Sequence, residues 1–573
     1  MKELMKRMMA AILIICGSMV LLTACSENDD PASGDESGDA SGQVVMMYYG
    51  NGGANLDEDT EAGLATFAVQ QMSGTGVRSF VQFKYSAKRF ARWQENYEPS
   101  GDYGCVYRFE MNKNSLNSDY DSNVAKSKIF AGSGFKKFAG SDFKMYDPQN
   151  LADFINYCMQ QAPNAKAYVL AFGNHGGAYN ITRDYNKSLP TRGVLYDDNL
   201  PGEPCMSPME LAAALDKLSR KPDMIYFDCC IMSNLEVLGE LQGRTKFVFA
   251  SGHSVIEAPL NELCKSLMGV AKSSNVDEGI RTYMGDYVNT ITTYMRNSYK
   301  QQKGNRIERS MDYTLTDMSK LPALFASIKG VVDFLEKTDI SDMDVDLFNN
   351  AASGCYQYVD NRPLFDVMGY LNQLKEKAFK GNSEFAALVS QVETAVKACH
   401  IAHDEFSYDS SGTDKKYDLS YSVTLGFSSS RLIFSTTDKD VKAHTPTTPQ
   451  GVIMYSVKAG EGTTESPFYN DYQLENGDNF LTEWIEGQEY NFRNVTCYWE
   501  KGSGTQFSWD NSYRTLQFDR ATGWSKWMKK NPGIHDDNPP YDDQYNYDYP
   551  DPNYYDIVGS KRGLRSQGME FFP

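Results

Sequence analysis

Short apolar runs at 44–49, 168–172, 224–227 and 247–250, each closed by turn residues and separated by stretches with helical spacing, constrain this chain more than any other feature. A strand buried on both faces reads as a continuous apolar run, because neither face alternates with solvent. Strands of that kind recurring between helices predict a mainly parallel sheet covered on both sides, an α/β class. The spacing predicts helices at 56–71, at 151–161 behind Asp147-Pro148 and at 209–218 behind Ser207-Pro208, with a further strand at 80–85. In open sheets of this class, chemistry gathers beyond the carboxyl ends of the strands. Two of the runs end there on reactive groups. The run at 168–172 leads into Gly173-Asn174-His175-Gly176-Gly177, and the run at 224–227 leads into Asp228-Cys229-Cys230, followed by helical periodicity over 231–241. His175 and Cys230, 230 − 175 = 55 residues apart, are therefore candidates to meet at one sheet edge.

A thiol attacks a carbonyl carbon well only when its proton is taken or its pKa lowered, and an imidazole suits that task near neutral pH. With Cys230 expected where a strand becomes a helix, the helix N-terminus would favour a thiolate and leave backbone N–H groups free. Gly176 and Gly177, lacking side chains, let the backbone approach a substrate, so the Gly176 and Cys230 amides are candidates for holding an oxyanion. Structural readings stand beside these. A lone buried cysteine is often inert packing. A histidine at a strand end can serve a turn, and Asp228 can either line a pocket or cap the following helix. His253, His400 and His403 carry a structural reading first.

At 573 residues, 41% hydrophobic and 13% aromatic, the chain can bury a large core and divide into more than one unit. With 56 basic against 75 acidic residues, a net charge of −19, a nucleic-acid partner is excluded, since phosphate binding needs a cationic surface; basic peptides would be attracted instead. The first residues read as a targeting segment: Lys2, Lys6 and Arg7 precede an apolar run over 8–22. A single membrane-spanning anchor is the alternative, for which the run is short. Residues 26–42 are acidic and small, the composition of a flexible tether. Eleven cysteines are scattered without a CxxC pair, so no zinc site or disulfide framework is indicated.

Helical patterns dominate from 281 to 396, with 331–335 and 364–374 as clear examples, and the texture changes near His400. Residues 417–427 alternate as a strand does, 451–457 similarly, and past Lys530 the sequence becomes rich in Pro, Asp and Tyr. The expected organisation is a targeting segment at 1–24, a tether at 25–42, an α/β domain at 43–400, a β-containing region at 401–530 and an irregular tail at 531–573, to which no site is assigned.

The chain resembles the clostripain-type cysteine peptidases of the caspase-like group. The resemblance is carried by Asn174-His175-Gly176-Gly177, by Phe227-Asp228-Cys229-Cys230-Ile231-Met232-Ser233-Asn234-Leu235-Glu236-Val237, by Ala250-Ser251, by Leu151-Ala152-Asp153-Phe154-Ile155, and by Tyr513 through Phe518 to Gly523-Trp524. It spans roughly 44–528 and implies a caspase-like α/β/α sandwich around a mainly parallel sheet. His175 matches the catalytic histidine and Cys230 the nucleophile of an Asp-Ala-Cys triplet, with Cys229 in place of the small bystander. Asp228 matches the acid that selects Arg or Lys before the scissile bond, and a partly desolvated carboxylate would indeed favour a long cationic side chain. Gly177, Ser251 and His253 are expected to line the substrate cleft.

Members of this group are commonly activated by self-cleavage between the histidine and the cysteine, which points here to Lys187 first, then Arg192 and Arg183. After Ala250-Ser251 the family usually continues with acidic residues and a Pro, Gly and Trp cluster, whereas this chain continues Gly252-His253-Ser254-Val255-Ile256-Glu257-Ala258-Pro259-Leu260. Some relatives depend on calcium; with no 12-residue calcium-loop pattern, only Asp197-Asp198 is a candidate, and no metal site is assigned. Leu22-Thr23-Ala24-Cys25 resembles a bacterial lipoprotein signal with Cys25 acylated, and the acids behind it resemble a surface-export signal, implying a lipid-anchored envelope protein at the outer membrane. The expected function is a cysteine endopeptidase acting on peptides with basic residues. The alternatives are a non-catalytic surface lipoprotein that binds peptide or glycan, and a cell-wall amidase using the same two residues.

Overall fold

The computed structural model describes residues 42–52, 56–87, 98–120, 127–176, 193–197, 205–253, 255, 258–301, 309–340, 343, 347–348, 351, 364–408, 426–428, 489–492, 495–500, 504–507, 516–524 and 526–527. The targeting segment and Cys25, the strand expected at 451–457 and the tail at 531–573 lie outside them, as does nearly all of the tether and of the strand expected at 417–427.

Ten of the described strands concern the main sheet and its neighbour: β1 (Val44–Asn51), β2 (Val77–Lys84), β3 (Val106–Glu110), β4 (Lys136–Ala139), β5 (Ala167–Gly173), β6 (Met224–Asp228), β7 (Phe247–Ala250), β8 (Arg309–Asp317), β9 (Leu364–Asp366) and β10 (His400–Tyr408). Nine of them form one sheet in the order β10-β8-β7-β6-β5-β1-β2-β3-β4. The five central strands, β7 to β2 in that order, run parallel, while β8 and β10 on one side and β3 and β4 on the other are antiparallel. β9 pairs instead with 426–428.

Alternate residues of the apolar runs serve two separate cores, which is why those runs show no polar face. Val45, Met47 and Tyr49 of β1, with Leu170 and Phe172 of β5 and Ile225 and Phe227 of β6, face α2 (Pro148–Gln161), α3 (Pro208–Asp216), α4 (Leu235–Leu241) and α7 (Leu321–Lys337). Val44, Met46 and Tyr48, with Val169, Ala171, Met224 and Tyr226, face α1 (Asp57–Met72), α5 (Leu260–Lys272) and α6 (Gly285–Gln301). The result is a three-layer α/β/α sandwich. Local signals start its helices: the Asp147 carboxylate accepts from Gln149 N before α2, and Ser207 with Glu210 forms a reciprocal capping box before α3.

Helices dominate the described part of 281–396, as expected, but the stretch also contains β8, which was not foreseen; there Met311, Tyr313 and Leu315 alternate with Asp312, Thr314 and Thr316, so no continuous apolar run announces a buried strand. Two expectations need correction. The helix expected from 364 starts at Val367, after β9. The helix expected from 231 starts only at Leu235, because Ile231 has φ 60°, a left-handed conformation that turns the chain away from helix.

The division expected at residue 400 falls at the start of β10, which pairs with β8 inside the main sheet. Further on, the short helix Gln517–Thr522 returns to the same body: the Gln517 amide donates to Glu240 at 2.7 Å, Phe518 packs edge-to-face on Phe325, and Trp524 and Trp527 are fully buried in the first of the two cores.

Candidate active site

Register brings the candidate residues to one place. β5 and β6 pair with Gly173 opposite Asp228, and β1 joins β5 with Gly50 opposite Gly173, so the segments leaving three adjacent strands share the carboxyl edge of the sheet. Two residues past each strand end come His175 and Cys230. Their backbones meet through Gly176: a Cβ there would lie 2.0 Å from the Cys230 carbonyl oxygen and 2.7 Å from its nitrogen. No side chain fits, which is the physical reason for glycine at 176.

Asn174 fixes the histidine segment. Its side-chain amide donates to the Asn51 carbonyl at the end of β1, and its Oδ1 accepts from Tyr196 N at 2.8 Å. Tyr196 in turn meets the partly exposed His175 ring edge-on, with centroids 6.4 Å apart. The neighbouring Asp197 is anchored from inside: Lys84 Nζ bonds its carboxylate at 2.7 Å, both side chains having no exposure, and also donates to the Ser141 and Phe143 carbonyls. Asp197 is thus spoken for by a buried lysine, while Asp198 lies outside the described residues.

Cys230 is 7% exposed, and its Sγ accepts from the Val255 amide at 3.3 Å. The helix N-terminus expected to support it belongs elsewhere. Residues 231–233 run beside 251–253, with Ile231 N donating to His253 O and Ser233 N to Ser251 O, both at 2.9 Å. Asn234, not Asp228, caps α4, its Oδ1 accepting from Val237 N at 3.0 Å. The cap reading of Asp228 therefore fails.

Ser251 and His253, expected in the cleft, are buried at 0% and 1% exposure. Asp312 of β8 holds them: its carboxylate accepts from Ser251 Oγ at 3.2 Å and from Gly252 N at 3.1 Å, and it contacts His253 Nδ1. These residues are buried among themselves and do not reach outward. His403 bonds Thr314 Oγ1 through Nδ1 at 2.9 Å, and burial drives the His400 imidazole down to about 3. Both lie on β10 at the far side of the sheet.

Asp228 opens into a cavity of about 40 Å³, shared with Tyr48, Leu56, Asp59, Thr60, Gly63, Gly173, Asn174, Val255, Ala258 and Leu260. Burial, with the nearby Asp59 charge adding to it, pushes its carboxyl up to about 7. Cavity and nucleophile are contiguous through Val255, which lines the one and bonds the other. Asp59, Tyr196, Val255 and Asp312 were not singled out by sequence. Asp59 sits among Asp57 and Glu58 in a first helical turn, where acids are expected for the helix dipole alone, and so carries no separate signal.

Gly177 and the candidate processing residues Arg183, Lys187 and Arg192 lie outside the described residues. Among the described residues no group of three or more His, Cys, Asp or Glu could hold a metal ion, and no helix is long and apolar enough to cross a membrane.

The search of curated proteins finds no match. Among solved structures, the chain is similar to a secreted C11 cysteine protease from Bacteroides thetaiotaomicron, at 16% identity over 66% of this chain and 91% of that one, with a TM-score of 0.44. A secreted C11 cysteine protease from Bacteroides thetaiotaomicron in complex with an irreversible peptide inhibitor gives 15% identity over 68% of this chain and 90% of the other, with a TM-score of 0.41. An inactive zymogen C11 protease from Parabacteroides distasonis gives 15% identity over 68% and 89%, with a TM-score of 0.40. The assignment rests on the family comparison, in which the clostripain family model matches residues 117–530, the greater part of the chain, and includes both His175 and Cys230. The chain belongs to the clostripain family of cysteine peptidases.

Proposed function

We propose that the protein is an endopeptidase that cleaves after Arg or Lys, with Cys230 as nucleophile and His175 as general base and then acid. The reading is carried by one observation: Gly176 seats the histidine segment directly on the Cys230 backbone, beside a cavity that opens onto the Asp228 carboxylate. In the acylation step the Cys230 thiol gives its proton to His175 and its sulfur bonds the scissile carbonyl carbon. The oxyanion is held by the Gly176 and Cys230 amides. As the C–N bond breaks, His175 returns the proton to the departing amine, and water then hydrolyses the thioester with His175 again accepting and donating a proton. The substrate's basic side chain enters the cavity, where a carboxylate with poor access to water interacts strongly with a guanidinium or ammonium.

Self-cleavage at Lys187, with Arg192 and Arg183 as secondary sites, and acylation of Cys25 complete the proposal. Both follow from sequence: a basic segment between histidine and nucleophile, and Leu22-Thr23-Ala24-Cys25 behind an apolar run. An acyloxymethyl ketone with Arg at its reactive end should label wild type at Cys230, as located by mass spectrometry, and leave Cys230→Ala unlabelled. Wild type should run as two fragments on a denaturing gel and Cys230→Ala as one. Labelling at another residue would remove the nucleophile assignment, and equal processing of both proteins would remove self-cleavage.

A further inference from the structure

The cavity beside Cys230 holds a second acid from a different element: Asp228 closes β6, whereas Asp59 stands in the first turn of α1. Two neighbouring acids of α1 that point inward, Asp57 in the same turn and Glu61 in the next, are consumed by the fold. Asp57 accepts from Ser86 N at 3.0 Å, and Glu61 accepts from Tyr85 Oη and from Ser100 N at 3.1 Å. Among the described residues Asp59 has no such partner. Among the described residues neither Asp59 nor Asp228 is perturbed by a cation or a hydrogen bond; burial alone pushes Asp59 up to about 6, and burial with the Asp59 charge pushes Asp228 up to about 7.

Two carboxylates sharing a small space, with no counter-charge beside them among the described residues, are costly unless something cationic completes the site. The remaining walls include Tyr48, Leu56, Val255, Ala258 and Leu260, which suit the methylene stem of a long basic side chain. A cavity of about 40 Å³ gives room for roughly three waters, about the size of a charged head group. The cavity also touches the candidate chemistry, through Asn174 next to His175 and through Val255, whose amide bonds the Cys230 sulfur.

We propose that Asp59 is a specificity-determining residue of this peptidase, sharing with Asp228 the recognition of the cationic side chain that precedes the scissile bond. The proposal rests on the reading of Asp228 as the pocket carboxylate. A guanidinium has five N–H donors and an ammonium three, so one carboxylate leaves donors unmatched that a second, approaching from α1, takes up.

The test compares wild type, Asp59→Asn, Asp59→Glu and Asp228→Asn on matched fluorogenic peptides ending in Arg, Lys or the uncharged citrulline and norleucine. Asp59→Asn should lose roughly 10- to 100-fold in kcat/KM on Arg and Lys, the value of one hydrogen bond to a charged group, with the loss carried by KM. Its turnover of the citrulline and norleucine peptides should stay at wild-type level or rise, and Asp59→Glu should recover part of the lost discrimination. Equal loss on charged and uncharged peptides would make Asp59 merely structural and overturn the proposal. So would unchanged KM for Arg and Lys in Asp59→Asn when Asp228→Asn abolishes the preference. A wild type with no preference for basic peptides at all would instead overturn the underlying reading of Asp228.

Discussion

Gly176→Ala is the sharpest test of how histidine and cysteine are held together. The new Cβ would lie 2.0 Å from the Cys230 carbonyl oxygen, whereas ordinary contact begins at 3.4 Å, so the two segments must part by about 3.4 − 2.0 = 1.4 Å. Both partners are backbone, so no side chain can swing aside. Gly176 is not among the glycines with positive φ, so the effect is one of contact and not of backbone conformation. A displacement of about 1 Å between reacting groups costs on the order of 10²-fold in rate, equivalent to about 2.7 kcal/mol of barrier. The expected result is a folded protein with kcat down by roughly 10²-fold or more, measured on a fluorogenic Arg peptide and normalised by active-site titration with an irreversible inhibitor. Gly285→Ala is the control, since a Cβ there meets nothing closer than 3.6 Å within α6 and should be silent. A folded Gly176→Ala enzyme with kcat close to wild type would refute the argument that this glycine sets the distance between the two segments.

Asp228 should also betray itself in stability. Its carboxyl titrates near 7 in the fold but near about 4 when unfolded, so the folded state binds the extra proton and loses stability as pH rises from the lower value to the higher. Asp228→Asn, which cannot ionise, should therefore match wild type in Tm near about pH 4 and exceed it increasingly up to neutrality; a constant difference across that window would contradict the burial argument. Lys84→Met removes the buried cation from the Asp197 carboxylate, and breaking a buried pair in this way costs about 3–5 kcal/mol. Thermal unfolding should show that loss, and kcat should fall as well because the same segment supports His175 through Tyr196; an unaltered Tm would mean the pair contributes nothing.

Much of the sheet was legible because burial on both faces erases alternation: the runs at 44–49, 168–172, 224–227 and 247–250 all became central parallel strands. β8 was illegible for the opposite reason. Its buried Asp312 and Thr314 find partners in Gly252, Ser251 and His403, partners that only the folded chain supplies. The position of Cys230 at a strand end could be read, but not its support: a φ of 60° at Ile231 and the pairing of 231–233 with 251–253 leave no trace in residue spacing. Ser251 and His253 look polar enough for a cleft in sequence, and only Asp312, sixty residues on, shows why they turn inward.

The return of residues 516–527 to the core has a consequence for biosynthesis. Every group proposed for the chemistry has been synthesised by residue 230, yet the hydrophobic layer over α4 and α7 still lacks Phe518, Trp524 and Trp527, the last of which donates from its indole to Tyr370 at 3.3 Å. Contacts closing so late in sequence are formed late in folding. Nascent chains would thus carry a complete set of reactive groups on an unfinished scaffold, and competence to cut would be withheld until residues 516–527 had been made and docked.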